Sequence, residues 1–432
     1  MMKTVLVPLV AVTVAAGALH AQIIDTPDGT VAGIPANYTE ARTGSYVLPD
    51  PLVLASGEKV TEAATWFARR RPEIFKLLEE NQYGRAPGAP AKMSFDVFDR
   101  GTPALEGKAL RKQVTIYFTE SRTEQYLDLV VYLPANAKGP VPLLLSLGWS
   151  ANNLAVNDPG VKVGRVWNNE LKRRVAAENV KRVFPRFDVT PILARGFGFA
   201  TFAYTDVDPD ALGAVAQGVR SLFLAPGQTE PAADEWGAIA AWGWGASRAI
   251  DYLVTDPQVD AKRIALTGAS RLGKTVLWAA ARDERIAGVI ASISGEGGAA
   301  LSRRNYGETV AHLVAPTRYP YQFAANYAKW AGRANEAPFD AHFVLSLIAP
   351  RPLLLQTGNT DKWSDPYGEF LAAKAATPVY TLLGAKGIED YSQPPVGKPM
   401  INTLGYVIHE GGHMVAPSDW PVFLDFLEKH LK

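Results

Sequence analysis

The fold is decided by the stretch Ile264-Ala265-Leu266-Thr267-Gly268-Ala269-Ser270-Arg271-Leu272-Gly273-Lys274. An apolar run leads into a glycine-flanked serine, and a helical pattern begins immediately after it. This strand–turn–helix context is typical of a nucleophile elbow, where a strained turn exposes a serine hydroxyl at the edge of a sheet. The pattern departs from G-x-S-x-G, because the second glycine comes one residue late, at Gly273. The stretch predicts Ser270 as a nucleophile and the backbone N–H of Arg271 as an oxyanion donor.

Two other interpretations of the same residues stay open. Serine is a favoured N-cap, so Ser270 could simply begin a helix. The residues from Gly268 to Thr275 also fit the phosphate-binding pattern G-x-x-x-x-G-K-[ST]. The phosphate-binding interpretation would leave the histidine loop near the C-terminus unexplained.

Strand and helix patterns alternate along the rest of the chain, which favours an α/β fold. The short, almost wholly apolar run 141–147 predicts a strand that is buried on both faces. The turn Gly148-Trp149, which follows this run, would carry a second oxyanion donor. The predicted strands are 113–118, 127–133, 141–147, 197–204, 264–267, 286–292 and 352–357, and the predicted helices are 64–80, broken at Pro72, then 235–253, 272–282 and 420–430. The order predicts an α/β-hydrolase fold, a three-layer sandwich around a doubly wound, mostly parallel sheet.

A serine nucleophile needs a base, and the C-terminal loop supplies the best candidate. His413 lies in Val407-Ile-His409-Glu-Gly-Gly-His413, after a strand and before the last helix, where α/β-hydrolases carry their histidine. Two histidines at this spacing suggest metal ligands on a helix, but the paired glycines argue against a helix there. His312 and His342 have apolar helical surroundings that favour a structural role.

The acid is predicted in the loop that follows the strand 352–357. Asp361 is favoured, whereas Asp365 precedes a proline and could serve as an N-cap. Glu296, in the loop after the preceding strand, is the other alternative. No metal and no organic cofactor is needed for this chemistry.

Composition excludes several classes of function. The chain has 432 residues, a formal net charge of +1 and no cysteine, so neither a nucleic acid partner, a disulfide framework nor a thiolate site is expected. Residues 1–21 have a lysine, an apolar run and a small-residue end, which predict a signal peptide cleaved near Ala21 and a secreted or periplasmic protein without a membrane anchor. Residues 22–49 are expected to form an extended segment lying on a single catalytic domain of residues 50–432, and a monomer is expected.

With these motifs placed, the sequence resembles the glucuronoyl esterases, carbohydrate esterase family fifteen, particularly their bacterial members. The resemblance covers roughly residues 60–430. It rests on Gly268-Ala-Ser-Arg-Leu-Gly-Lys274, Gly295-Glu-Gly-Gly-Ala-Ala-Leu-Ser-Arg-Arg304, Tyr306-Gly-Glu308, Asp361-Lys-Trp363, Trp242-Gly-Trp244, Pro338-Phe-Asp-Ala-His342 and Glu410-Gly-Gly-His413.

The resemblance implies hydrolysis of the ester that joins 4-O-methyl-glucuronic acid of glucuronoxylan to lignin alcohols. It implies that Arg271 supports the oxyanion and that Lys274, Glu308 and Trp363 bind the sugar. Two features depart from the family pattern. Ala269 stands where many members have a disulfide-bonded cysteine, and Ile293 stands where some members, the fungal ones especially, have the acid, which shifts that role to Asp361.

Two other functions compete with this interpretation. An acetyl-xylan esterase or general carboxylesterase would use the same triad on other esters. A non-catalytic carbohydrate-binding protein with a decayed hydrolase fold would keep the architecture without the chemistry, but the order Ser, Asp, His argues against it.

Overall fold

The structure is a computed structural model that describes residues 29–178, 180–389 and 392–432. Its central element is a nine-stranded sheet. The strands are β1 (Gly29–Val31), β2 (Ile34–Ala36), β3 (Ser94–Ala104), β4 (Ala109–Tyr117), β5 (Tyr126–Pro134), β6 (Val141–Gly148), β7 (Arg165–Asn168), β8 (Arg173–Ala176), β9 (Gly198–Ala203), β10 (Val259–Ala269), β11 (Ile286–Ser292), β12 (Leu353–Gly358) and β13 (Leu404–His409). The α-helices are α1 (Ala63–Thr65), α2 (Arg71–Leu78), α3 (Asn152–Ala155), α4 (Thr190–Ala194), α5 (Tyr204–Val207), α6 (Ala238–Leu253), α7 (Arg271–Arg282), α8 (Val310–Val314), α9 (His342–Ile348), α10 (Pro366–Leu382) and α11 (Asp419–Leu431).

The strand order of the large sheet is β13-β12-β11-β10-β6-β9-β5-β4-β3. The six strands from β13 to β9 are parallel, whereas β5, β4 and β3 continue the sheet by antiparallel pairing. From β6 the chain crosses to β9 on one side and later to β10 on the other. This reversal is the switch point at which open α/β sheets place their sites. The predicted mostly parallel, doubly wound sheet is therefore confirmed.

Alternate residues of the central strands enter two separate cores. In β6, Leu143, Leu145 and Leu147 lie in the larger core, which also contains residues of α6, α7 and α9. Leu144 points to the other face and packs in a core formed with α4 and α11. Helices on both faces explain why every residue of β6 is buried and why the strand is almost wholly apolar. The molecule is thus the expected three-layer sandwich.

The predicted break at Pro72 is wrong. Helical backbone runs from Ala63 to Tyr83, because a π-helical turn, Trp66–Arg70, precedes α2 and a second, Glu79–Tyr83, follows it. Pro72, the second residue of α2, lies just after the π-helical turn Trp66–Arg70, so its ring and its missing N–H meet a widened turn and not a regular α-helical one. A widened turn before the proline lets the helix continue.

Residues 29–49 lie against the catalytic part of the chain. β1 and β2 form a small hairpin, and the carbonyls of Ile34 and Pro49 accept hydrogen bonds from His312 and His342. These two histidines thus have structural partners. The predicted signal peptide and cleavage near Ala21 lie outside the described residues. Within the part that is described, no helix has both the length and the apolar composition needed to cross a bilayer.

Candidate active site

Ser270 lies in the sharp turn between β10 and α7. Its backbone has φ 58° and ψ −126°, a conformation that is strained for a residue with a side chain. The turn is held by a 2.9 Å hydrogen bond from the Ser270 N–H to the carbonyl of Ser292, at the end of the neighbouring strand β11. The Ser270 side chain makes no capping hydrogen bond to α7, so a role as a simple N-cap does not account for it.

Two glycines let the turn close. A Cβ on Gly268 would lie 2.5 Å from the carbonyl oxygen of Leu272, and one on Gly273 would lie 2.7 Å from that of Ser292. The late glycine of the motif is thus the place where α7 meets the end of β11. Leu272, which fills the usual glycine position, is fully buried in the larger core.

His413 and Asp361 continue a hydrogen-bonded chain from Ser270. The Oγ of Ser270 is 2.9 Å from Nε2 of His413, and Nδ1 of His413 is 2.7 Å from Oδ2 of Asp361. Since a carboxylate only accepts, His413 carries its proton on Nδ1 and offers the Nε2 lone pair to the serine hydroxyl. Asp361 is buried, whereas the His413 side chain is 44% exposed to solvent. The hydroxyl of Ser364, 3.1 Å from Nδ1, adds a second contact to the ring.

The sheet explains why three residues so distant in sequence meet. Ser270 follows β10 directly, Asp361 comes three residues after β12, and His413 comes four residues after β13. All three strands are parallel, so their carboxyl ends share one edge.

The other acid candidates occupy structural positions. Glu296 is buried and accepts hydrogen bonds from Ser302 at 2.5 Å and Tyr327 at 3.0 Å. Asp365 accepts the Gly368 N–H as the N-cap of α10 and pairs with Arg304 at 2.8 Å. Among the described residues neither carboxylate hydrogen-bonds to His413.

The Arg271 side chain is fixed by a network that sequence reasoning missed. Its guanidinium pairs with the carboxylate of Asp210 and lies over the rings of Trp149 and Tyr319. Burial, the largest single effect, lowers the pKa of Arg271, but the charge and hydrogen bond of Asp210 together with the nearby Tyr204 and Tyr319 outweigh it, so the pKa is raised. The guanidinium therefore stays positive beside the elbow.

Asp210 itself accepts hydrogen bonds from three further side chains. The hydroxyls of Tyr204 and Tyr321 lie at 2.7 Å and the amide of Gln322 at 3.0 Å. The available signal was its position in an acidic run after β9, at the same sheet edge as Ser270. That run, residues 206–210, begins within α5, whose last two residues are Asp206 and Val207.

The predicted sugar-binding residues form a neighbouring group. Lys274 is buried, burial lowers its pKa, and its Nζ donates to the carbonyl of Ser294 at 2.6 Å. This inward position also argues against the phosphate-loop interpretation, in which the lysine would face an open loop. Glu308 pairs with Arg318 at 2.7 Å, and Arg318 in turn lies over the partly buried ring of Trp363. The N–H of Glu308 donates to the Trp363 carbonyl at 2.8 Å, which joins the two loops.

The second histidine of the C-terminal loop has its own partner. Nδ1 of the buried His409 is 2.8 Å from Asp419, and the ring does not converge with His413 on a common point. Within the described ranges, no group of three or more His, Asp or Glu residues is arranged to hold a metal ion.

Comparison with known proteins gives consistent matches across the chain. The family model described as glucuronyl esterase, fungi, matches residues 230–384. A glucuronoyl esterase structure from Solibacter usitatus has a TM-score of 0.87 and 44% identity, covering 91% of this chain and 100% of that one. A promiscuous esterase of carbohydrate esterase family 15 from a marine bacterial metagenome has a TM-score of 0.82 and 38% identity, with 91% and 100% covered.

A carbohydrate esterase of an unknown prokaryotic organism is 39% identical over 421 residues, 94% of this chain and 95% of that protein. These relatives match the chain over nearly its whole length and not only at the serine motif, and the solved ones have the same fold. The chain belongs to the glucuronoyl esterase family, carbohydrate esterase family 15, and is an esterase with the α/β-hydrolase fold.

Proposed function

We propose that this esterase cleaves the ester between the carboxyl group of (4-O-methyl-)glucuronic acid on glucuronoxylan and an alcohol of lignin. The hydrogen-bonded chain Ser270–His413–Asp361 at the carboxyl edge of the sheet is the observation that carries the proposal. A fungal relative from Wolfiporia cocos, 28% identical over 80% of this chain and 73% of its own length, is named a 4-O-methyl-glucuronoyl methylesterase, which supports the acyl part.

The reaction proceeds by acyl transfer in two steps. His413, oriented by Asp361, takes the proton of the Ser270 hydroxyl while the oxygen attacks the uronoyl carbonyl. The tetrahedral intermediate collapses, and the alcohol leaves with the proton from His413. Water then attacks the acyl-enzyme by the same route and releases the uronic acid and the free serine.

The negative charge of the tetrahedral intermediate is met by groups at the elbow. The Arg271 N–H lies at the start of α7, where the helix dipole favours an anion. Its guanidinium, paired with Asp210, adds a positive charge at the elbow. Preorganised donors of this kind stabilise a transition state because they need no rearrangement during the reaction.

The sugar ring is recognised by Lys274, Glu308 and Trp363. A uronic acid differs from an acetyl group by its ring hydroxyls, which need buried polar partners and a flat apolar wall. The ion pair with Arg318 fixes the Glu308 carboxylate, and the Trp363 ring stands beside it. Export through the predicted signal peptide would bring such an enzyme to its polymeric substrate.

Ser270→Ala tests the proposal. It should abolish release of benzyl alcohol from benzyl glucuronate, lowering kcat by a factor of roughly 10⁴ or more, while the thermal unfolding midpoint stays near that of the wild type. Near-full turnover in a folded variant would contradict the role of Ser270.

The acid is tested by a matched pair of variants. Asp361→Asn should lower kcat by about 10³-fold or more, because His413 then loses the group that fixes its tautomer. Glu296→Gln changes a carboxylate that contacts Ser302 and Tyr327 instead, so its kcat should remain within about threefold of the wild type. The reverse ranking would move the acid to Glu296.

An esterase with broader substrate range is the second candidate. The observation in its favour is that the marine relative of 38% identity is described as promiscuous. Such an enzyme would use the same triad but cleave small acetyl esters at least as well as uronate esters.

A further inference from the structure

A strongly basic segment, residues 162–186, lies between β6 and β9. It contains eight of the chain's 44 Lys and Arg residues but only two of its 43 Asp and Glu residues. The segment thus has a formal charge of +6, whereas the rest of the chain has −5. Such a concentration in a protein of net charge +1 creates a local positive field.

Three of these cations attach the segment to the body of the protein. Lys162 pairs with Asp128 at 2.8 Å and Arg165 with Asp206 at 3.4 Å. The guanidinium of Arg174 donates to the carbonyl of Thr205 at 2.9 Å. The charges of Lys162 and Arg165 are therefore paired with carboxylates, and the guanidinium of Arg174 is engaged in a hydrogen bond within the protein. These contacts hold the antiparallel pair β7–β8 against the body of the protein.

The five remaining cations face solvent. None of them forms an ion pair with any residue that the structure describes, although the guanidinium of Arg182 donates to the Phe184 carbonyl and that of Arg186 to the Asn157 side chain. These exposed residues are Lys172, Arg173, Lys181, Arg182 and Arg186.

The segment adjoins the active site through an aromatic contact. The partly exposed Phe184 ring stacks on Trp149, with ring centroids 5.1 Å apart and planes inclined by 28°. Trp149 also lies under the Arg271 guanidinium, 5.5 Å from it, and Arg271 directly follows Ser270. The cations at 181–186 are therefore connected, through Phe184 and Trp149, to the Arg271 side chain next to Ser270.

We propose that this basic segment binds further, unesterified uronate groups of the polysaccharide whose ester is being cleaved. An ester-linked uronate is neutral and gains nothing from a positive surface, but free carboxylates on neighbouring branches of the same polymer are anions. Repeated weak contacts along one chain raise its residence at the site. The identity of the polymer rests on the proposed function, whereas the charge recognition does not depend on catalysis.

The test measures binding without cleavage. In a Ser270→Ala background, titration calorimetry compares glucuronoxylan with its carboxyl-reduced form, at roughly 0.02 and 0.3 M salt so that screening lengths differ severalfold. The carboxylated polymer should bind more tightly, and only its affinity should fall with salt. Lys181→Ser/Arg182→Ser should weaken it by roughly three- to tenfold, as expected for exposed charge pairs.

The matched control is Lys59→Ser/Lys138→Ser, which removes two exposed lysines outside the segment. In the Ser270 enzyme, Lys181→Ser/Arg182→Ser should leave kcat and KM for benzyl glucuronate unchanged. Equal affinity for the carboxyl-reduced polymer, or an equal effect of the control pair, would overturn the proposal. Failure of the proposed function would show instead as absent cleavage of benzyl glucuronate by the wild type, whatever the polymer affinities.

Discussion

Ser270, Arg271 and Asp210 are each held by specific local contacts at the candidate active site. The position of Ser270 in the turn between β10 and α7 was predictable, because an apolar run leads into it and a helical pattern follows it. The pairing of Arg271 with Asp210 joins residues 61 positions apart, and no local pattern reports it. Sequence reasoning found the residues that follow strands at one sheet edge, but missed the partner that orients one of them.

Asp210→Asn tests that partnership. Loss of the carboxylate charge should leave the Arg271 guanidinium less firmly placed and lower kcat for benzyl glucuronate by about 10- to 100-fold, with KM and the unfolding midpoint little changed. Tyr321→Phe, which removes one donor to Asp210 but keeps the charge, should stay within about threefold of the wild type. An equal rise in KM, or a large drop in midpoint for Asp210→Asn, would assign Asp210 to folding instead.

The elements differed in how clearly the sequence predicted them. Strands buried on both faces, such as β6 and β12, were evident from the sequence, because a short apolar run between turn residues is typical of such strands. The edge strand β3 was not predicted, since most of its side chains are exposed or only partly buried and no alternation marks it. The helix was wrongly predicted to break at Pro72, because a π-helical turn before the proline lets the helix continue. Such turns have no sequence signature of their own.

The contact between α7 and β11 makes a prediction for Gly273. Gly273→Ala would bring a Cβ to 2.7 Å from the Ser292 carbonyl, which also accepts the Ser270 N–H. We expect a loss of roughly 1–3 kcal/mol in the free energy of unfolding and a fall in kcat, because the elbow must move. Denaturant titration and steady-state kinetics measure both. Gly139→Ala, which has open space around the new Cβ, should change neither; equal behaviour of the two variants would refute the packing argument.

At the scale of the molecule, a titratable carboxyl group is buried near the sheet edge that carries Ser270. Glu369 of α10 is fully buried, accepts the Gly295 N–H at 2.6 Å, and has no partner for Oε2 among the described residues. Burial, the largest effect, raises the pKa of Glu369 to about 8 from an ordinary 4.5. The fold therefore holds this group protonated over a range in which the unfolded chain has already ionised it.

That difference predicts how stability depends on pH. Between the unfolded pKa near 4.5 and the folded pKa of about 8, unfolding releases a proton, so the contribution of Glu369 is greatest at low pH and is lost as pH rises. Glu369→Gln keeps the acceptor without the titration. Its stability relative to the wild type should improve by roughly 2–3 kcal/mol from pH 5 to pH 7. Denaturant curves at both pH values, with the exposed Glu124→Gln as control, measure this; a difference that does not change with pH would contradict it.

The substrate comparison tests the central claim most directly. Hydrolysis of benzyl glucuronate and of para-nitrophenyl acetate is measured side by side with the wild type and with Ser270→Ala. The account predicts a higher kcat/KM for the uronate ester, although para-nitrophenolate is the better leaving group, and loss of both activities in the variant. Cleavage of the acetate without cleavage of benzyl glucuronate would contradict the uronate specificity and leave a general esterase on the same triad.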